Sequence, residues 1–176
     1  VIEALISSKT RVKLLLKFFL NASNKAYLRG LEEEFGESTN AIRVELNRFE
    51  EAGMISAQTE GNKKIFTANT RHPLFREIHN IVMKHVGIDT IIDNVLSQLG
   101  EVSEVYLTGG FAQGNDNHII DLEIIGSVNA AYLAELVGKA QSLLTRKIRY
   151  IVFSKEEYTA LSAAHHLLPR LLIWSK

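Results

Sequence analysis

The chain has no cysteine. That absence excludes disulfides, thiolate zinc sites and thiol catalysis, and it matches a reducing cytoplasm. It also has no net charge, because 20 basic and 20 acidic side chains cancel over 176 residues. No global field draws such a chain onto a polyanion, so any nucleic-acid contact has to come from a local patch. Nor does any apolar run reach the roughly 18 residues that span a bilayer. The longest candidate, Val12 to Leu20, is broken by Lys13 and Lys17 at helical spacing. The sequence starts at Val1 without a signal-peptide pattern, and the missing methionine suggests a trimmed start. The expectation is a soluble, cytoplasmic protein with no membrane contact.

What is present reads as globular: 46% hydrophobic and 23% charged residues, in a length that holds one medium domain or two small ones. Apolar residues recur at helical spacing through Val12, Leu15, Leu16 and Phe19, with Ser8 as N-cap. A short helix follows from Tyr27 to Phe35 and stops at Gly36. Ser38 and Thr39 open a third helix with Ile42, Leu46 and Phe49 as its buried stripe. Two short strands then flank the turn Glu60-Gly61-Asn62-Lys63. Pro73 introduces a helix to about Val86, and another runs from Asp89 to Leu99. Beyond Gly100 the pattern changes to strands at 102–108, 119–125 and 148–153, with a helix at 130–144. Ser154 and Glu157 have capping-box spacing. The apolar tail from His165 to Trp174 is expected to pack back on its domain. The fold class is therefore α+β, with domains at 1–70 and 101–176 and a helical connector at 71–100 that supplies a dimer face.

Three helices followed by a hairpin with a basic tip is the order of a winged helix-turn-helix, whose third helix enters the major groove of double-stranded DNA. On that helix the face away from the apolar stripe carries Ser38, Thr39, Asn40, Arg43, Asn47 and Arg48. Hydroxyls and helix N-terminal amides suit phosphate, and Arg43 or Asn47 could read a purine edge. Asn62, Lys63 and Lys64 form the wing tip, and Lys9 and Arg11 begin the first helix where backbone contact is expected. Residues 1–70 hold 10 basic and 9 acidic side chains, so the domain's net charge does not favour DNA. The stretch from Leu5 to Ile55, continuing through Asn69 and His72-Pro73-Leu74-Phe75, resembles ArsR-like winged-helix regulators. The metal-sensing branch of that family uses cysteine pairs, and this chain has none.

Residues 105–123 read Val-Tyr-Leu-Thr-Gly-Gly-Phe-Ala-Gln-Gly and end in Asp121-Leu122-Glu123. This is similar to the nucleotidyltransferase signature, a glycine-rich turn followed by two carboxylates at alternate strand positions. Such a turn exposes backbone amides to a triphosphate, and such carboxylates hold divalent metals for nucleotidyl transfer. The resemblance implies a nucleotide site at Gly109, Gly110, Gln113, Gly114, Asp121 and Glu123. Four positions depart from it. Gly110 stands where the family has a serine, Gln113 where arginine is common, Glu123 where the second aspartate belongs, and Arg149 where a third carboxylate belongs. A guanidinium beside Asp121 and Glu123 would pair with them and repel metal.

The reading is accordingly a DNA-binding transcriptional regulator, dimeric, whose nucleotidyltransferase-like domain senses a ligand or mediates assembly. It has no catalytic residues, no metal site and no cofactor, with nucleotide and Mg2+ entering only if the second domain is active. The alternative is a metal-dependent nucleotidyltransferase with a winged-helix targeting module. His165-His166 lies beside an apolar tail, is expected to have no acidic or cysteine partner nearby, and is not read as a metal site. His72 and His79, at heptad spacing, are expected at the surface or an interface, and Trp174 as a packing residue.

Overall fold

The computed structural model describes residues 2–161 and 163–176. The expected domains 1–70 and 101–176 each include one residue, Val1 and Ser162, outside that set. Helices and two sheets are combined in two compact units, Val1–His85 and Val86–Lys176, so the stretch 71–100 is divided between them. No helix among the described residues is long and apolar enough to cross a membrane.

In the first unit a short α1 (Ile2–Leu5) precedes α2 (Lys9–Leu15), which continues as a π-helical turn over Leu16–Leu20. Ser8 caps α2 by accepting the Arg11 N–H, one of the donors a helix start leaves unsatisfied. After β1 (Lys25–Ala26), α3 (Leu28–Phe35) ends at Gly36, whose φ of 63° is the left-handed conformation glycine adopts at least cost. Ser38 then caps α4 (Thr39–Glu51), which buries Ile42, Glu45, Leu46 and Phe49 along one stripe. The hairpin β2 (Ile55–Glu60) and β3 (Lys63–Ala68) is completed by β1 on the far side of β3. Helix α5 (Phe75–Val86) follows. The Phe19 ring meets Phe49 edge-on and lies 5.5 Å from Phe75. His79, expected at a surface, instead donates from Nδ1 to the Phe19 carbonyl oxygen at 2.7 Å and stacks on Phe75. A backbone acceptor sixty positions away in sequence gives no signal in a heptad count.

The second unit begins with α6 (Ile88–Asn94) and a 3-10 turn at Leu96–Gln98. Strand β4 (Glu101–Thr108) runs into the one-turn α7 (Gly109–Ala112), and β5 (Ile119–Ser127) returns antiparallel to β4. Helix α8 (Ala130–Leu143) is the crossover that lets β6 (Lys147–Phe153) pair parallel to β5. Then come α9 (Lys155–Ala160), α10 (Ala163–His166) and β7 (Leu171–Ser175). The sheet order is β6-β5-β4-β7. The capping box of Ser154 and Glu157 is formed at α9.

Alternation sorts the two faces of this sheet. Val105, Leu107, Ile120, Leu122, Ile124 and Ile148 are buried on the core face. Tyr106, Thr108, Asp121, Glu123, Arg149 and Ile151 occupy the other. Two elements escape the sequence reading. The glycine loop starts as α7, too short to show a period, and the tail forms β7 although Leu171-Leu172-Ile173-Trp174 has no polar alternation.

Candidate functional site

Strand register builds the site. Thr108 lies opposite Asp121 and Tyr106 opposite Glu123 across the antiparallel β4–β5 pair, and Arg149 lies beside Asp121 across the parallel β5–β6 pair. Strand β4 turns at Gly109, with φ at 64°. The Asp121 carboxylate rests against that backbone, since a Cβ at 109 would fall 2.3 Å from its Oδ2. Glycine is thus required there by both conformation and space. At Gly110 a Cβ would fall 2.8 Å from Asn117 Cγ, so the Asn117 carboxamide fills the room that a side chain at 110 would take.

Of the residues expected to bind nucleotide, Gly109, Asp121 and Glu123 line one cleft of about 370 Å³, together with Thr108, Arg149 and Ile151. Gly110, Gln113 and Gly114 belong to the adjoining turn. Backbone bonds run there from Gln113 N–H to the Gly110 oxygen and from Gly114 N–H to that of Phe111. The Gln113 side chain is exposed. The loop beyond is held by an ion pair of Asp116 with Arg146, whose guanidinium lies 5.4 Å from the Phe111 ring centre. Burial raises the Asp116 pKa, but the Arg146 hydrogen bond and the His118 N–H outweigh it, and the carboxyl sits below its ordinary value. His118 follows at a φ of 60°, an uncommon conformation for a residue with a side chain.

The two carboxylates have different surroundings. Asp121 Oδ1 accepts from Arg149 Nε at 2.6 Å, and that bond lifts the Arg149 pKa above its ordinary value. The Arg149 side chain is 64% exposed. Glu123 is 8% exposed. Its Oε1 lies 3.2 Å from His165 Nε2, while its Oε2 is buried without a hydrogen-bond partner among the described residues. A buried carboxylate oxygen left unpaired is costly and calls for an explanation. His165 therefore does have an acidic neighbour, contrary to the sequence reading. The pair spans forty-two positions and is made by α10, which the sequence did not reveal. Further along the same face, Tyr106 is pushed up to about 12 by burial first and then by its hydrogen bond to Glu104. Arg170 lies over the Tyr106 and Tyr158 rings. No group of three His, Asp or Glu side chains among the described residues is arranged to hold a metal.

The residues expected to contact DNA fall as follows. Ser38 caps α4, and Thr39 donates to Glu32 at 2.6 Å. Arg11 and Arg48 both bond to Glu45, at 2.9 and 3.2 Å. Lys64 is paired with Glu50 at 2.7 Å, and Lys63 lies 4.2 Å from the Tyr27 ring centre. Lys9, Asn40, Arg43, Asn47 and Asn62 are exposed. Arg11, Arg48 and Lys64, three of the cations expected to contact DNA, thus already have carboxylates in the fold.

No family model matches the chain, and no curated protein matches it significantly. Several solved structures are similar. One is a tri-AMPylated Shewanella oneidensis HEPN toxin in complex with MNT antitoxin, at 15% identity and a TM-score of 0.38, covering 53% of this chain and 74% of that one. A second is a mutant of the toxin–antitoxin MntA-HpeT, at 17% and 0.36, covering 51% and 70%. A third is a toxin–antitoxin with AMP-PNP, at 17% and 0.36, covering 53% and 73%. These are toxin–antitoxin proteins, and one was solved with AMP-PNP, a nucleotide analogue. Two expectations are corrected on that finding: the DNA-binding transcriptional regulator and the absence of a cofactor. At this level of similarity no activity or partner carries over to this chain, and its function has to be argued from its own site.

Proposed function

We propose that the second unit is a nucleotidyltransferase that binds a nucleoside triphosphate in the cleft between Gly109 and Asp121. The observation that carries this is the pairing of Thr108 with Asp121, which sets two alternate carboxylates of β5 beside a left-handed glycine turn. The signature-like sequence of residues 105–123 supports the same reading. Asp121 and Glu123 are the residues that would hold a divalent ion. The fit is supported by Glu123 Oε2, buried at the cleft and unpartnered, an oxygen that a cation would satisfy. Two protein carboxylates suffice for Mg2+, which is commonly held by one or two of them plus substrate phosphates and water. A bound divalent ion supplies Lewis-acid stabilisation of the charge that develops on the transferring phosphoryl group.

Arg149 does not close this site. It pairs with Asp121 as expected from the sequence, but an ion pair made by so exposed a side chain is weak, because solvent screens it. A partner held that weakly lowers the affinity of the cleft for a cation without shutting the cation out. The chain's own groups have separable tasks: the glycine turn lets the Asp121 carboxylate lie directly against the backbone, and the two carboxylates would fix the cation. The first unit is read as a winged helix-turn-helix that acts as a targeting module. Its support is the order α2, α3, α4 and the β2–β3 hairpin, with β1 completing the sheet.

Incorporation of label from ATP labelled at the α-phosphate tests the reading. Asp121→Asn and Glu123→Gln are each expected to lower it by about 100-fold or more, because the charge stabilisation at stake is several kcal/mol. Undiminished incorporation in both variants would overturn the assignment.

A further inference from the structure

We propose that Arg149 makes the cleft select a metal–triphosphate complex over the free metal ion. The inference rests on the nucleotidyltransferase reading and concerns the order in which that site fills. Arg149 bonds to Asp121 through Nε alone, and its two terminal nitrogens have no hydrogen-bond partner among the described residues. The guanidinium therefore has one edge on the carboxylate and a second edge free. It is carried by β6, an edge strand, on a long and mostly exposed side chain that can turn without disturbing the core.

A bare cation arriving at this cleft meets Asp121 Oδ1 already occupied by a positive group and only Glu123 uncompensated by a neighbouring arginine. Like charge close to a cation lowers its affinity. A cation arriving on a triphosphate meets different chemistry. Two of its phosphate oxygens can accept from the planar guanidinium fork at once, the bidentate geometry for which arginine is suited. Arg149 then exchanges a weak surface ion pair for charge-assisted bonds to phosphate, and Asp121 is released to the metal. The absence of a third acidic or imidazole ligand among the described residues leaves coordination positions for those same phosphates. Arg149 thus opposes one ligand and favours the other.

Titration of the full chain with Mn2+, followed by electron paramagnetic resonance, tests this without reference to turnover. One series uses Mn2+ alone, and the other uses Mn2+ with a non-hydrolysable ATP analogue. Arg149→Gln is expected to tighten binding of free Mn2+ about 5-fold and to weaken binding of the Mn2+–nucleotide complex about 10-fold. Arg149→Lys keeps the charge but not the fork, so it is expected to exclude free Mn2+ like the parent and still bind the complex more weakly. Changes in the same direction for both ligands, or no change in either, would overturn the role of Arg149 while leaving the nucleotide site in place. Failure of the unaltered chain to bind Mn2+–nucleotide at all would overturn the nucleotidyltransferase reading, and this inference with it.

Discussion

Each unit buries one glutamate, and the two are treated in opposite ways. Glu45, 6% exposed, receives Ser8, Arg11 and Arg48, so both of its oxygens are engaged. Glu123, 8% exposed, has an imidazole near one oxygen and, among the described residues, nothing bonded to the other. Burial is nearly equal, so the cost of desolvation is similar and only the compensation differs. A saturated buried carboxylate ties elements together. An unsaturated one persists where something other than stability retains it, which is the physical ground for placing function in the second unit.

Removing each glutamate should separate these roles. Glu45→Ala strips the shared acceptor from two arginines and a cap residue, and is expected to cost about 2–3 kcal/mol in urea denaturation followed by circular dichroism. Glu123→Gln should change stability by less than about 1 kcal/mol, because the oxygen it alters makes no bond to lose. Trp174, the chain's one tryptophan, lies on β7 and reports the second unit by fluorescence. Equal losses for the two variants would erase the contrast.

Gly109→Ala comes next, at about 2 kcal/mol. It forces a side chain into a left-handed position and drives a Cβ into the Asp121 carboxylate. The same variant should weaken nucleotide binding, whereas Gly36→Ala, where a Cβ meets nothing within 4 Å, should cost only the conformational part.

Acid should affect the first unit through the same glutamate. Burial pushes Glu45 up, but the bonds from Arg11 and Ser8 outweigh it, and the net pKa lies below the ordinary value. A carboxyl depressed on folding contributes stability above its unfolded pKa of about 4.3, and loses that contribution as pH falls through the folded value. Denaturation between pH 6 and 3 should therefore show a smaller acid loss in Glu45→Gln than in the parent. The smallest effect is expected for Lys64→Ala, under about 0.5 kcal/mol, because its pair with Glu50 is exposed on both sides.

Much of the local structure was legible. Ser8, Ser38 and Ser154 were readable as caps because the donors they satisfy lie three residues on. Gly36 was readable as a stop, and Asp121 and Glu123 as same-face carboxylates, since a strand's period is two. What could not be read was pairing across long separations. Arg11 and Arg48 read from sequence as DNA contacts, but both bond to Glu45. A glutamate at position 45, within the stripe of Ile42, Leu46 and Phe49, was the signal available. His165 near Glu123 left no such trace, because the two are brought together by α10 and by a sheet whose outer strand does not alternate.

That outer strand sets the timing of assembly. Strand β4, which leads into the glycine turn, is flanked by β5 on one side and β7 on the other, and Leu107 finds its partner only at Leu171. On a ribosome β4 and β5 can pair as soon as both have emerged, but the second edge of β4 waits until Leu171–Ser175 has been made. Until then an open strand edge stands next to the carboxylates, available for pairing with another polypeptide.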